Sequence, residues 1–173
     1  ICKHHPEAVA WYTEKLDVLL KILRKCVMQP VARTCFIQTK LLQLLRVIGK
    51  GNTDVTDRMS DVLAEVASKT DPSRTAGSSV LYECVMTIIE TESVGGLKVL
   101  AINILGKFLA SRDSNLRFAA LQSLRRVVSH DINAVLRHKA VIMNCMRDAD
   151  ISIRRKALEL AFGLPPSELR RSL

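Results

Sequence analysis

Four segments of the chain repeat one apolar register, and that repetition limits the available folds more than any other feature. Ile37, Val80, Leu116 and Ile153 lie 43, 36 and 37 residues apart. The same steps carry Leu41 to Cys84, Ala120 and Ala157, and Leu42 to Val85, Leu121 and Leu158. They also carry Leu45 to Ile88, Leu124 and Ala161. Each segment therefore holds apolar residues at i, i+4, i+5 and i+8, which is helix spacing rather than strand alternation. The second site is mostly small, so a neighbouring helix can approach it closely.

A helix recurring every ~40 residues, with room for a second helix between copies, matches two-helix repeats of the HEAT or armadillo type. The expected fold is all-α: an α-solenoid, a right-handed superhelix of antiparallel helix pairs. Eight helices are expected, over residues 7–27, 36–48, from about 54 or 56 to a break at 71–73, 76–92, 97–110, 115–129, 132–147 and 152–164. Breaks are supplied by Pro30, by Gly49 and Gly51, by Pro72, by Gly95-Gly96, and by Pro165-Pro166. Residues 1–164 are expected to form a single solenoid domain and residues 165–173 a disordered polar tail. Two helices share an apolar-Arg-x-x-Ala-Leu frame, Leu116 to Leu121 and Ile153 to Leu158, each behind an acidic residue, Asp113 or Asp150. Such an Asp can cap its helix, and the Arg one turn inside can build a polar ladder between repeats.

Aromatic residues make up only 4% of the chain, so the core has to be built from aliphatic side chains, which favours packed helices over a β-sandwich. The most apolar stretch, residues 97–110, is interrupted by Lys98, Asn103 and Lys107 and is too short to span a bilayer. No secretory signal pattern opens the chain, and an N-terminal Ile1 leads us to expect a fragment or a processed product. Five cysteines, Cys2, Cys26, Cys35, Cys84 and Cys145, are odd in number and include no Cys-x-x-Cys pair, as reduced cytosolic thiols would.

Charge is unevenly spread. Residues 1–50 carry +6, residues 51–112 carry −2, and residues 113–173 carry +5, within a net +9. Basic ends suit an anionic membrane surface or an acidic partner, and equally suit solvated helix faces. No catalytic, cofactor-binding or metal-ligating set is expected. His4, His5, His130 and His138 lack a ligand at metal spacing on their helices, and Cys84 and Cys145 sit in apolar helical surroundings as core residues do. Gly49-Lys50-Gly51 and Gly95-Gly96 lack the flanking glycines of a phosphate loop. Specific nucleic-acid binding is not expected either, because no basic cluster is interleaved with aromatics.

Several stretches bear a closer resemblance. They are Lys-Leu-Leu-Gln-Leu-Leu-Arg-Val-Ile-Gly at 40–49, Ser-Asp-Val-Leu-Ala-Glu-Val-Ala-Ser at 60–68 and Val-Leu-Tyr-Glu-Cys-Val-Met-Thr-Ile at 80–88. The most specific is Gly-Leu-Lys-Val-Leu-Ala-Ile-Asn-Ile-Leu-Gly-Lys-Phe-Leu at 96–109. Asn-Leu-Arg-Phe-Ala-Ala-Leu at 115–121, His-Asp-Ile-Asn-Ala-Val-Leu-Arg-His at 130–138 and Asp-Ile-Ser-Ile-Arg-Arg-Lys-Ala-Leu-Glu-Leu at 150–160 follow. Residues 36–162 resemble the middle of the helical trunk of large adaptins, most of all the gamma-adaptin type of clathrin adaptor subunit. The first 35 residues resemble it loosely, and the pattern is lost after Phe162.

That resemblance implies a non-enzymatic scaffold in vesicle-mediated intracellular protein transport at the trans-Golgi network and endosomes. Its partners would be the other adaptor subunits, namely a second large chain, a medium chain and a small chain. Its location would be cytoplasmic, peripheral on trans-Golgi, endosomal or coated-vesicle membranes. Two other functions fit the repeats alone: a generic HEAT scaffold outside membrane traffic, and a nucleic-acid-binding solenoid. The last helix carries Ile151, Ile153, Ala157, Leu158, Leu160, Ala161 and Phe162, more apolar residues than one inward stripe needs. An exposed, self-associating end is therefore expected near Leu160 and Leu164, unless Leu169 and Leu173 fold back over it.

Overall fold

The computed structural model describes residues 6–91, 93, 95–129 and 131–164. Ten helices occur among them and no strand does. The expected eight helices become ten because two of them are divided. The first is broken at Lys15 into α1 (Pro6–Glu14) and α2 (Leu16–Val27), where the Lys15 amide donates to the Tyr12 carbonyl in a tight turn. The seventh is broken into α8 (Ile132–Leu136) and α9 (Lys139–Cys145) by a similar turn, His138 N–H to Val135 O. The long connection expected around residues 30–35 is absent. Pro30 is the residue immediately before α3 (Val31–Gly49), a position where its missing N–H costs no helical hydrogen bond.

The remaining helices lie within a residue or two of expectation: α4 (Thr53–Lys69), α5 (Thr75–Glu90), α6 (Gly96–Leu109), α7 (Ser114–Val128) and α10 (Ile151–Phe162). Their starts follow the side-chain chemistry. Asn52, Asp113, Asp131 and Asp150 each accept a backbone N–H of the helix they precede, at 3.2, 2.8, 3.0 and 2.8 Å. Gly51, with φ 74°, makes the left-handed turn between α3 and α4 that a side chain would oppose.

The chain divides into two compact units, residues 1–101 and 102–173. In the first, α2 and α4 form one layer and α3 and α5 a second. The hydrogen bonds fix the directions. Thr56 bonds the Thr91 carbonyl and Cys84 the Leu63 carbonyl, so α4 and α5 run antiparallel. Thr87 donates to the Leu42 carbonyl at 3.0 Å, and Gly49, further along α3, lies against Thr91 just past the end of α5, so α3 and α5 run parallel. In the second unit, α7 and α10 run parallel, with α8 against α7 and α9 against α10. All-helical layers with like helices in parallel register are the HEAT/armadillo-like arrangement.

The repeated register is the core. Leu42, Val85 and Leu121 are buried, as are Leu45, Ile88, Leu124 and Ala161. The small second-site residues Cys84, Ala120 and Ala157 are fully buried. Four positions depart from the pattern: Leu41 and Leu116 are half-buried, and Ile37 and Leu158 are exposed. The expected apolar end also needs correction. Leu160 and Leu164 are buried, because α10 turns Ile153, Ala157, Leu160 and Ala161 inward. The exposed apolar residues are instead Ile151, Leu158 and Phe162, one helical stripe at i, i+7 and i+11. The tail at 165–173, with Leu169 and Leu173, lies outside the described residues, as do Cys2, His4, His5 and His130.

Candidate protein-interaction surface

Polar side chains in this fold are spent on joining one repeat to the next. Along α2 and α4, Asp17 meets Arg58 at 2.8 Å and Arg24 meets Glu65 at 3.5 Å, each pair 41 residues apart. Lys69 adds to the row by pairing with Glu65 at 2.7 Å. These exposed pairs set register more than they add stability. Between α3 and α5 the contacts are less exposed. Arg46 pairs with Glu83 and lies 3.5 Å from Glu90, while Gln43 donates to the other Glu83 oxygen.

In the second unit the Asp-and-Arg ladder expected from the shared helix frame is present. Arg117 donates to the Ser111 and Arg112 carbonyls at 2.9 Å, closing its own loop. Its other side faces Asp148, with Nε 2.9 Å and Nη2 3.2 Å from the carboxylate. Asp148 stands in the loop before α10, so one arginine ties two repeats together. Arg154 repeats the first half of this pattern, donating to the Asp148 and Ala149 carbonyls at 2.8 and 2.9 Å. Asp148 is held below the ordinary carboxylate range, first by the Asp150 backbone N–H and then by Arg117. Arg125 and Glu159, at 3.0 Å, and Lys156 over the Phe118 ring, at 5.9 Å, complete the α7–α10 contact.

The thiols and the one described histidine are structural. Cys84 is fully buried, its thiol pushed up to about 12 by burial, and contacts the Leu63 carbonyl at 3.5 Å. Burial, then the Asp148 charge, raises Cys145 as well, so neither thiol is activated as a nucleophile. The His138 ring lies against Gly106, where a Cβ would come within 2.3 Å of Cε1. Burial and the Arg137 charge lower its pKa, favouring the neutral ring. That contact explains the glycine inside α6, which sequence alone left unaccounted for. No group of three or more His, Cys, Asp or Glu side chains among the described residues could hold a metal ion. No described helix is long and apolar enough to cross a membrane.

What remains on the surface is material for protein contacts. Phe36, 82% exposed, Ile37 and Trp11 lie on the first unit, and Ile151, Leu158 and Phe162 on the second. Phe36 and Trp11 are large side chains that the repeat register does not use, and the sequence pattern alone gave no reason to single them out.

Layered parallel helices joined by cross-repeat ion pairs, with apolar residues left outward, define a helical-repeat protein. The comparisons with known proteins are specific. The family model for the adaptin N terminal region matches residues 1–168, and the chain belongs to that family. The match takes in the first 35 residues, which the sequence motifs tied to it only loosely, and lends no support to a place midway along the trunk.

The chain is 46% identical over 173 residues to the AP-1 complex subunit gamma-2 of Arabidopsis thaliana, covering 95% of this chain and 20% of that protein. It is 50% identical over 129 residues to the AP-1 complex subunit gamma of Dictyostelium discoideum, covering 75% and 14%. It is 39% identical over 181 residues to the AP-1 complex subunit gamma-like 2 of Homo sapiens, covering 100% and 23%. The chain therefore spans about a fifth of the length of such relatives.

Proposed function

We propose that residues 1–164 serve as one scaffold segment of a clathrin-associated adaptor complex in vesicle-mediated protein transport between the trans-Golgi network and endosomes. The observation that carries this is the coverage of 75–100% of the chain by gamma-type adaptor subunits at 39–50% identity. The structure is consistent with it. Several of its ion pairs join repeats, its three buried thiols, Cys26, Cys84 and Cys145, are all raised by burial and are poor nucleophiles, and its outward apolar residues suit contact with other proteins. In this function the chain binds other adaptor subunits, a second large chain, a medium chain and a small chain, and performs no chemistry. Its location is cytoplasmic and peripheral, on trans-Golgi, endosomal or coated-vesicle membranes, where the basic ends would favour an anionic surface.

A pull-down from cytosol with the purified chain, read by mass spectrometry, tests the proposal. Recovery of adaptor medium and small chains above a bead control is expected. Recovery of phosphatase or nuclear-transport subunits in their place would point to a scaffold outside membrane traffic and refute it. Binding to duplex DNA that persists at physiological salt would also count against it, since attraction by net charge alone fades as salt is added.

A further inference from the structure

The corner between α8 and α9 rests on α6 through one imidazole ring. His138 stands in the turn that divides the two helices, its amide donating to the Val135 carbonyl and its carbonyl accepting from Ile142, both at 3.0 Å. The ring fills the space that Gly106 leaves on α6, where a Cβ would come within 3.0 Å of Cε1, Nδ1 and Nε2. Nε2 is buried and has no hydrogen-bond partner among the described residues. The charges around the ring are of one sign. None of α6, α8 and α9 carries an aspartate or glutamate; their charged side chains are Lys98, Lys107 and Lys139, with Arg137 in the turn itself. The Cys145 thiol on α9 is raised by burial and stays neutral. The five carboxylates of residues 102–164 are all committed elsewhere. Asp113, Asp131 and Asp150 cap α7, α8 and α10. Asp148 takes Arg117, and Glu159 takes Arg125, Arg155 and Lys156.

We propose that this corner is an acid-released joint: neutral His138 clips α8 and α9 to α6, and protonation of the ring undoes the clip and frees the corner. The reason is a balance of solvation. A neutral imidazole loses little by lying against a glycine backbone, whereas an imidazolium there gives up water and gains only like charges. Burial, and then the Arg137 charge, hold the folded pKa of His138 below the ordinary histidine value near ~6.5. A released ring therefore takes up the proton more readily than a docked one. The clip is complete above ~6.5 and is lost as pH falls from there towards the lowered folded value. Carboxylates stay charged across that window, so the Arg117–Asp148 and Glu159 pairs that join α7 to α10 persist. What opens is the short pair α8 and α9, whose inward residues Val135 and Ile142 become accessible. No partner is needed for this response, so it stands apart from the adaptor role proposed above.

Two measurements on the full chain test the joint. NMR of the imidazole rings between pH 5 and pH 8, with His138 assigned in the wild-type chain, should show this ring titrating below the ordinary ~6.5. Hydrogen exchange read by mass spectrometry, corrected for the intrinsic rate at each pH, follows the corner itself. Protection of residues 132–145 should fall by up to roughly tenfold per pH unit below ~6.5, while α3 and α5 keep theirs. His138→Phe keeps a flat ring against Gly106 without a titrating nitrogen, so its protection should not change over this range. His138→Lys should show the loss already at pH 7.5, and circular dichroism checks that both variants keep their helices. A His138 ring that titrates at or above the ordinary value would overturn the proposal. So would protection of residues 132–145 that is equal at pH 7.5 and pH 5.5, or that falls equally in His138→Phe. A parallel loss in α3 and α5 would mark general acid unfolding and would overturn it too.

Discussion

Replacing Gly77 by alanine sets two effects of opposite sign against each other. Gly77 is in the first turn of α5, and helix propensity alone favours alanine there by up to about 1 kcal/mol. Its surroundings oppose the change. A Cβ on Gly77 would lie 1.8 Å from the Asp71 carbonyl oxygen and 3.0 Å from the carbonyl carbon. The obstacle is backbone, so the 70–74 loop would have to move by more than about 1 Å to reach ordinary contact. That loop is tied to α5 by Ser78, whose hydroxyl donates to the Pro72 carbonyl at 2.8 Å and whose amide donates to Arg74 at 3.0 Å.

Overpacking costs about 1–3 kcal/mol, and weakening one of these bonds adds ~1 kcal/mol. Set against the propensity gain, Gly77→Ala should destabilise the protein by about 1–3 kcal/mol. Urea denaturation followed by circular dichroism at 222 nm reads the difference. Gly96→Ala is the control. It begins α6, and an added Cβ there meets nothing within 4 Å, so stability should be unchanged or slightly raised. A Gly77→Ala protein as stable as wild type, or more so, would show that the carbonyl does not rest on this glycine and would refute the reasoning.

Ala120→Leu should cost about 1–3 kcal/mol by overpacking the α7 core, read from the same urea curves; an unchanged midpoint would place Ala120 outside the core. Asp148 contributes stability that is complete above the ordinary aspartate pKa near ~4 and is lost as pH falls through its lowered folded value. Asp148→Asn should therefore lower stability at pH 7 and shrink the difference in midpoint between pH 7 and pH 3; an equal difference in both proteins would remove Asp148 from the acid response.

How far the fold was legible in the sequence depended on which residues marked it. The four-fold register from Ile37, Val80, Leu116 and Ile153 located α3, α5, α7 and α10, because core-facing helices must repeat their contacts with each neighbour. Asp113 and Asp150 announced their caps and the arginine ladder. The breaks at Lys15 and at Arg137-His138 were not legible. Neither carries glycine or proline, and each is a tight turn made by packing rather than by local propensity. The same holds for Gly77 and Gly106, whose roles depend on a loop carbonyl and an imidazole brought in from elsewhere in the chain. The apolar end was placed on Leu160 and Leu164 rather than on Ile151, Leu158 and Phe162, because composition shows an excess of apolar residues without showing which stripe turns inward.

Engagement of other adaptor subunits is the property on which the proposed role of this chain depends. Co-expressing it with the medium and small chains of an adaptor complex, followed by size-exclusion chromatography with light scattering, measures that. Co-elution in a complex of fixed stoichiometry, retained at physiological salt, is the predicted result. Elution of this chain apart from subunits that are themselves folded, at every ratio tried, would contradict it.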